Sequence, residues 1–241
     1  MVFAGGVFAG ILNVLSGGGG LLALPLLIFS GLPASVANGT LRVAMVVQNV
    51  AALATFRQRG VRVVSESWPL LIPCVLGAGA GVGLALILNE SAFRRFVAVF
   101  LLLMLIPLFR NPTAGRTSRA EPFRLKGWMW PAYFAVGVYG GFLQVGVGIV
   151  FLALLVGASG LDLVRANAIK VFLILGYSIL AVVLFAAGGR LALAPALALA
   201  AGNAVGGWLG ARLAVDKGEV WIRWLVTATV LVSATRLWGV W

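Results

Sequence analysis

Two cations lie inside apolar runs of this sequence. Lys170 sits in ANAIKVFLIL and Arg42 in ANGTLRVAMV, each about two helical turns into its run. A cation in the middle of a membrane span costs roughly 3 kcal/mol or more, so it needs a partner in a cavity, or it snorkels to the nearby interface. No acidic residue is near either one in these runs, so the natural partner is a bound anion. Asn38 and Asn167 precede the two cations in matching positions, with Thr40 beside the first. An Asn amide donates two hydrogen bonds and can orient the oxygens of an anion; it can equally cap a helix start.

Upstream of each cation the chain breaks at glycine. Gly17, Gly18, Gly19 and Gly20 are consecutive, and Gln144, Gly146 and Gly148 form a thinner version in the second half. Glycine costs about 1 kcal/mol relative to alanine in a helix, so such a run opens the helix and bares its backbone. Bare N–H groups at the start of a following helix make an anion nest at its positive end. Close helix packing against the same glycines is the other reading. Asn13 matches Gln144, each just before a break, and either lines the cavity or ties helices together. Gln48, Asn49 and Tyr177 are weaker candidates.

Other chemistries lack their residues. The six carboxylates, Glu66, Glu90, Glu121, Asp162, Asp216 and Glu219, all fall in loops or at helix ends, which leaves a carboxylate proton relay without members. There is no histidine and only one cysteine, Cys74, so no metal site and no disulfide is expected. No cofactor is implied, and no Gly-Lys-Ser/Thr follows the glycines to make a phosphate loop. An intramembrane hydrolase with Ser16 as nucleophile and Lys170 as base is the rival from another class. It does not account for two matched breaks.

The elements that must hold these residues are membrane helices. The chain is 62% hydrophobic and 10% charged, with a mean hydropathy of +1.09. An ordinary soluble domain carries about 25% charge. Apolar runs recur at residues 35–56, 68–88, 92–109, 163–187, 191–213 and 221–238, near the ~20 residues needed to cross about 30 Å of hydrocarbon. Residues 2–15 and 21–29 are each short for a crossing, and 128–156 is broken near Gly146 and Gly148. They read either as broken helices or as re-entrant hairpins of two half-helices. Gly77, Gly79, Gly81 and Gly83 alternate along the second full run and suggest close packing. The net charge of +12 sits in short loops, where the positive-inside rule expects it, and not in a nucleic-acid-binding stripe. The lipid bilayer is the expected partner.

An internal duplication organises the whole. Gly10 matches Gly141, Asn38 matches Asn167 and Pro69 matches Pro195, in one order and with slowly drifting offsets. The fold class is therefore an all-α integral membrane protein of two four-element repeats, each a broken or re-entrant helix plus three transmembrane spans. Residues 1–109 form the first repeat, 110–127 a polar cytoplasmic linker and 128–241 the second repeat. A re-entrant hairpin leaves three spans per half, an odd number, and inverts the second copy. With the linker inside, Arg57–Arg62 is also inside and Arg94 and Arg95 lie outside; inversion then leaves Arg190 outside and Arg212, Lys217 and Arg223 inside. The charge count favours inversion over a parallel repeat.

The glycine cluster followed by Pro25, the Gly31-Leu32-Pro33 turn and Ala37-x-x-Thr40, copied later as Arg165-Ala166-Asn167-Ala168-Ile169-Lys170, resembles the TauE/SafE sulfite exporter family over nearly the whole chain. The resemblance implies a secondary transporter of the bacterial inner membrane for sulfur-containing anions such as sulfite, thiosulfate or organosulfonates. The sequence departs from the family pattern in its second half, where Val156 stands in place of a proline. Another small anion, such as a carboxylate, is the alternative cargo.

Overall fold

The computed structural model describes residues 2–103 and 126–216. In chain order these form α1 (Val2–Ser16), α2 (Gly20–Phe29), α3 (Ala34–Gln58), α4 (Val64–Ile87), α5 (Glu90–Leu103), α6 (Met129–Phe142), α7 (Val147–Leu152), α8 (Leu163–Ala187) and α9 (Leu193–Asp216). A π-helical turn, Ala153–Ala158, continues α7. All regular structure among the described residues is helical. Among the described residues, four helices are long and apolar enough to cross a membrane: α3, α4, α8 and the Leu193–Leu213 part of α9. At 25 residues, α3 and α8 each reach about 37 Å, more than the hydrocarbon thickness. The polar linker at 110–125 and the last apolar run at 221–238 lie outside the described residues, as does the end of the run at 92–109.

The glycine breaks produce hairpins. Gly17 takes a φ of +77°, a left-handed conformation open to glycine at little cost, and α2 starts again at Gly20. From there α2 runs back along α1: a Cβ on Gly19 would strike Ala9 and Asn13, and one on Gly5 would strike Leu26. A single broken crossing is therefore excluded for residues 2–29. The second half does the same at Gly146, with φ +71°. Tyr133 on α6 meets Phe151 on α7 at 5.9 Å between ring centroids. Pro25 lies inside α2. Val156, in the corresponding stretch, falls in the π-helical turn.

Small residues then let helices of opposite halves approach. Along α1 and α9, Gly6 and Gly10 face Gly202 and Gly206 closely enough that an added Cβ would meet backbone. Along α4 and α6, Gly77 and Gly81 face α6 backbone, while Gly137 and Gly141 face α4 backbone. Packing of this kind replaces the hydrophobic drive that lipid does not supply. Gly83 has open space around it and Gly79 only a distant Leu180 methyl. The close-packing expectation therefore holds for alternate members of that glycine series, spaced one helical turn apart.

Helix starts are capped by the loop carboxylates. Glu90 accepts from Ser35 N at 3.2 Å and Ser35 Oγ at 2.5 Å, and also from Ala34 N. The start of α3 thus has an acid at its positive end, supplied from α5. Asp162 caps α8 by accepting from Arg165 N at 2.8 Å.

Candidate functional site

Arg42 and Lys170 are 0% and 1% exposed, so neither snorkels. Each reaches across to the hairpin of the other half. Lys170 Nζ donates to Asn13 O and Val14 O at 3.0 Å each, and to Asn167 Oδ1 at 2.7 Å. Asn13 and Val14 belong to the last turn of α1, at the negative end of its dipole, where the Asn13 carbonyl also accepts from Gly17 N at 3.0 Å. Arg42 makes the equivalent contacts at the end of α6. Its Nη1 donates to Gly140 O and to Gln144 Oε1, the latter at 2.6 Å. Its Nη2 donates to Gly141 O at 2.9 Å and, at the long limit of 3.5 Å, to Asn38 Oδ1.

The two positive side chains thus face the negative ends of two interrupted helices. Each helix end carries roughly half a negative charge, so the dipoles offset only part of the two full charges. The guanidinium also lies 5.4 Å from the Phe185 ring centroid, a cation–π contact. No carboxylate is buried among the described residues. The centre is an electropositive cluster in an apolar bundle.

The remaining candidates divide. Asn38 joins the cluster and donates to Phe142 O at 3.0 Å; Asn167 joins it through Lys170. Neither caps the start of its own helix, a task done by Glu90 and Asp162. Gln144 accepts from Arg42 and from Tyr177 OH, the latter at 3.1 Å. Asn13 donates to Met45 Sδ at 3.4 Å. Thr40 is buried but turned away, accepting from Ala192 N at 3.0 Å to tie α3 to the start of α9. The glycines sit at the centre. Gly17 and Gly148 touch each other's backbone, and Gly20 lies against Gln144 and Val145. Gly18 bridges Gly17 to α2, with its carbonyl accepting from Leu21 N at 2.9 Å.

Phe185 and Asn203 escaped the sequence reading. Asn203 donates to Gln48 at 3.2 Å in a buried amide pair on α9 and α3. An amide in a loosely polar helix gives no signal by itself, and an aromatic ring in an apolar run gives none. Gln48 Nε2, Asn203 Oδ1 and Arg42 Nε are buried without a hydrogen-bond partner. The side chain of Ser16 is outside the described residues.

Two clefts open elsewhere, and Arg42, Lys170, Asn38, Asn167 and Gln144 line neither. One of about 640 Å³ lies between the end of α3 and the start of α4, with Arg57, Arg62 and Ser65 among its lining. The other, about 460 Å³, is apolar and lies between α4, α5 and α6.

Comparison with known proteins places this arrangement. The family model described as sulfite exporter TauE/SafE matches residues 2–237. A probable membrane transporter protein of Haemophilus influenzae is 27% identical over 98% of this chain and 93% of its own length. Probable membrane transporter protein ORF9 of a Sinorhizobium species is 25% identical, over 98% of this chain and 90% of its own. Probable membrane transporter protein YfcA of Escherichia coli K12 is 24% identical, over 98% and 88%. No solved structure matches the chain. With four apolar membrane-length helices among the described residues and a family model spanning nearly every residue, the chain belongs to the TauE/SafE sulfite exporter family and is a multi-pass membrane transporter of the bacterial inner membrane.

Proposed function

We propose that this transporter carries a small sulfur-containing anion, such as sulfite, thiosulfate or an organosulfonate, bound between the hairpin tips at Arg42 and Lys170. The observation that carries the reading is the pair of buried cations with no buried carboxylate among the described residues. Helix dipole ends offset about half of that charge, and an anion supplies the rest. Asn38, Asn167 and Gln144 set its orientation, and the glycines of both breaks let backbone approach it.

The two halves, 1–109 and 128–241, are inverted copies in this reading. Three features support it. Both hairpins fold back on themselves, which with the three apolar runs per half read from the sequence gives an odd number of crossings. Residues in matching positions make reciprocal contacts: Lys170 holds the end of α1 as Arg42 holds the end of α6. The matched helices α3 and α8 run antiparallel, with Gly39 near the start of one against Phe185 near the end of the other. An axis lying in the membrane plane relates such halves. Arg57, Arg59, Arg62, Lys126, Arg165 and Arg212 then face the cytoplasm, against Arg94, Arg95 and Arg190 outside, as the positive-inside rule asks.

Export of the bare anion down an inside-negative potential gains about 2.3 kcal/mol per elementary charge per 100 mV. The test is current on a solid-supported membrane from purified protein in liposomes, with jumps of sulfite, thiosulfate, sulfoacetate, sulfate and acetate. A current with a sulfur anion that disappears in Lys170→Ala is expected. A current with acetate alone would move the reading to a carboxylate cargo, and an unchanged current in Lys170→Ala would remove the lysine from the site.

A further inference from the structure

We propose that Lys170 and Arg42 occupy the places of coupling cations, so that this transporter works without sodium, and that vacating either place creates a monovalent-cation site. The inference rests on the cluster being the transport site, as argued above.

The coordination around each side chain carries the argument. Lys170 Nζ lies among three oxygens at 2.7–3.0 Å: two helix-terminal carbonyls and Asn167 Oδ1. The Arg42 guanidinium meets the carbonyls of Gly140 and Gly141, Gln144 Oε1 and Asn38 Oδ1. Each of these acceptors is a neutral oxygen. Carbonyls at the C-terminal end of a helix interrupted in mid-membrane collect the negative end of the dipole, and in discontinuous transporter helices such ends coordinate sodium or protons. A divalent ion would call for carboxylates, and none is buried among the described residues. Neutral carbonyl and amide oxygens suit a single positive charge. Here that charge is covalently attached, so it fills the cage without the translational entropy cost a free ion would bear.

Both halves carry the same device, and each works in trans. The cation on α8 fills the end of α1, and the cation on α3 fills the end of α6. A single buried lysine would be explained by local packing alone. Two cations of different side-chain type, reaching the same kind of cage at matching places, point to a requirement for positive charge at the hairpin tips. With that charge tethered, a dissolved cation finds these two cages already filled.

Thermal unfolding of purified wild type, Lys170→Ser and Arg42→Ser in sodium, potassium or choline chloride at equal ionic strength tests this without any anion substrate. Wild type should unfold at the same temperature in all three salts. Each variant should unfold earlier in choline and recover by several degrees in sodium or potassium, saturably. A sodium-dependent rise in wild type would show that a cation place is still vacant and would overturn the proposal. So would variants with no alkali-ion effect, including variants that fail to fold equally in choline and sodium. In liposomes, wild-type anion current should be indifferent to replacing sodium by choline. Wild type silent to every anion, with the salt pattern as expected, would sink the cargo assignment and leave the filled cages standing.

Discussion

The contact between the two hairpin tips makes a sharp prediction for Gly148→Ala. A Cβ on Gly148 would lie 2.5 Å from the Gly17 Cα, where ordinary contact begins at 3.4 Å. The tips must therefore separate by 3.4 − 2.5 = 0.9 Å or their helices must bend. Overpacking a fitted interior typically costs 1–3 kcal/mol, while replacing glycine inside a helix returns up to about 1 kcal/mol. Gly148 lies within α7 and outside the left-handed region, so no backbone strain is added. Subtracting the full glycine gain leaves a loss of about 0–2 kcal/mol, and a clash of 0.9 Å against backbone puts it in the upper half of that range. The same displacement moves α1's last turn away from Lys170, so anion current should fall more than stability does. Thermal unfolding in detergent, read by intrinsic tryptophan fluorescence, and current from the same preparation are the two measurements. A variant as stable as wild type or more so would mean that the tips do not touch, and the crossed-hairpin geometry would be wrong.

The helix pairs give a matched contrast: Gly81→Ala, whose Cβ would strike Val138 and Phe142 backbone, should lower the unfolding temperature, whereas Gly83→Ala, in open space, should be neutral or stabilise by up to about 1 kcal/mol. Glu90→Gln removes the charge that caps α3 and should cost about 1 kcal/mol of stability by the same unfolding assay, with Glu90→Ala costing more. Cys74 is fully buried, so a membrane-permeant maleimide should label it only after denaturation, as read by mass spectrometry.

Much of this fold is written in local pattern. The run at 163–187 coincides with α8, because a long apolar stretch between Asp162 and Gly188 has clear start and stop chemistry. The glycine break at 17–20 was equally plain. The direction of the chain after that break was not, because hydrophobicity records that a segment is buried and not which way it runs. Contacts between Gly19 and α1 decide it. Arg42 and Lys170 stood out as charges in apolar runs, but their partners did not. Those partners are mainly backbone carbonyls, which every residue carries, about 100 to 157 positions away in sequence. Glu90 reads as a loop acid for the same reason: the helix it caps begins 56 residues earlier.

The cations are the part of the cluster that packing does not explain. Helix ends can be closed by glycine turns or by neutral amides, and Asn38 already closes one carbonyl of α6 with its own amide. Placing Arg42 and Lys170 there instead carries the intramembrane penalty of roughly 3 kcal/mol for each charge. Apolar residues of similar volume replace buried ions in many proteins with no loss of stability. A scaffold role would be served by such residues with the glycine contacts left intact. In the transport cycle proposed above the same charges would act on both sides: without cargo they bind the hairpin tips of the opposite half, and an arriving anion would compete for them. Binding of cargo and release of the tips then draw on the same two side chains, which is a physical route from anion occupancy to movement of one half against the other.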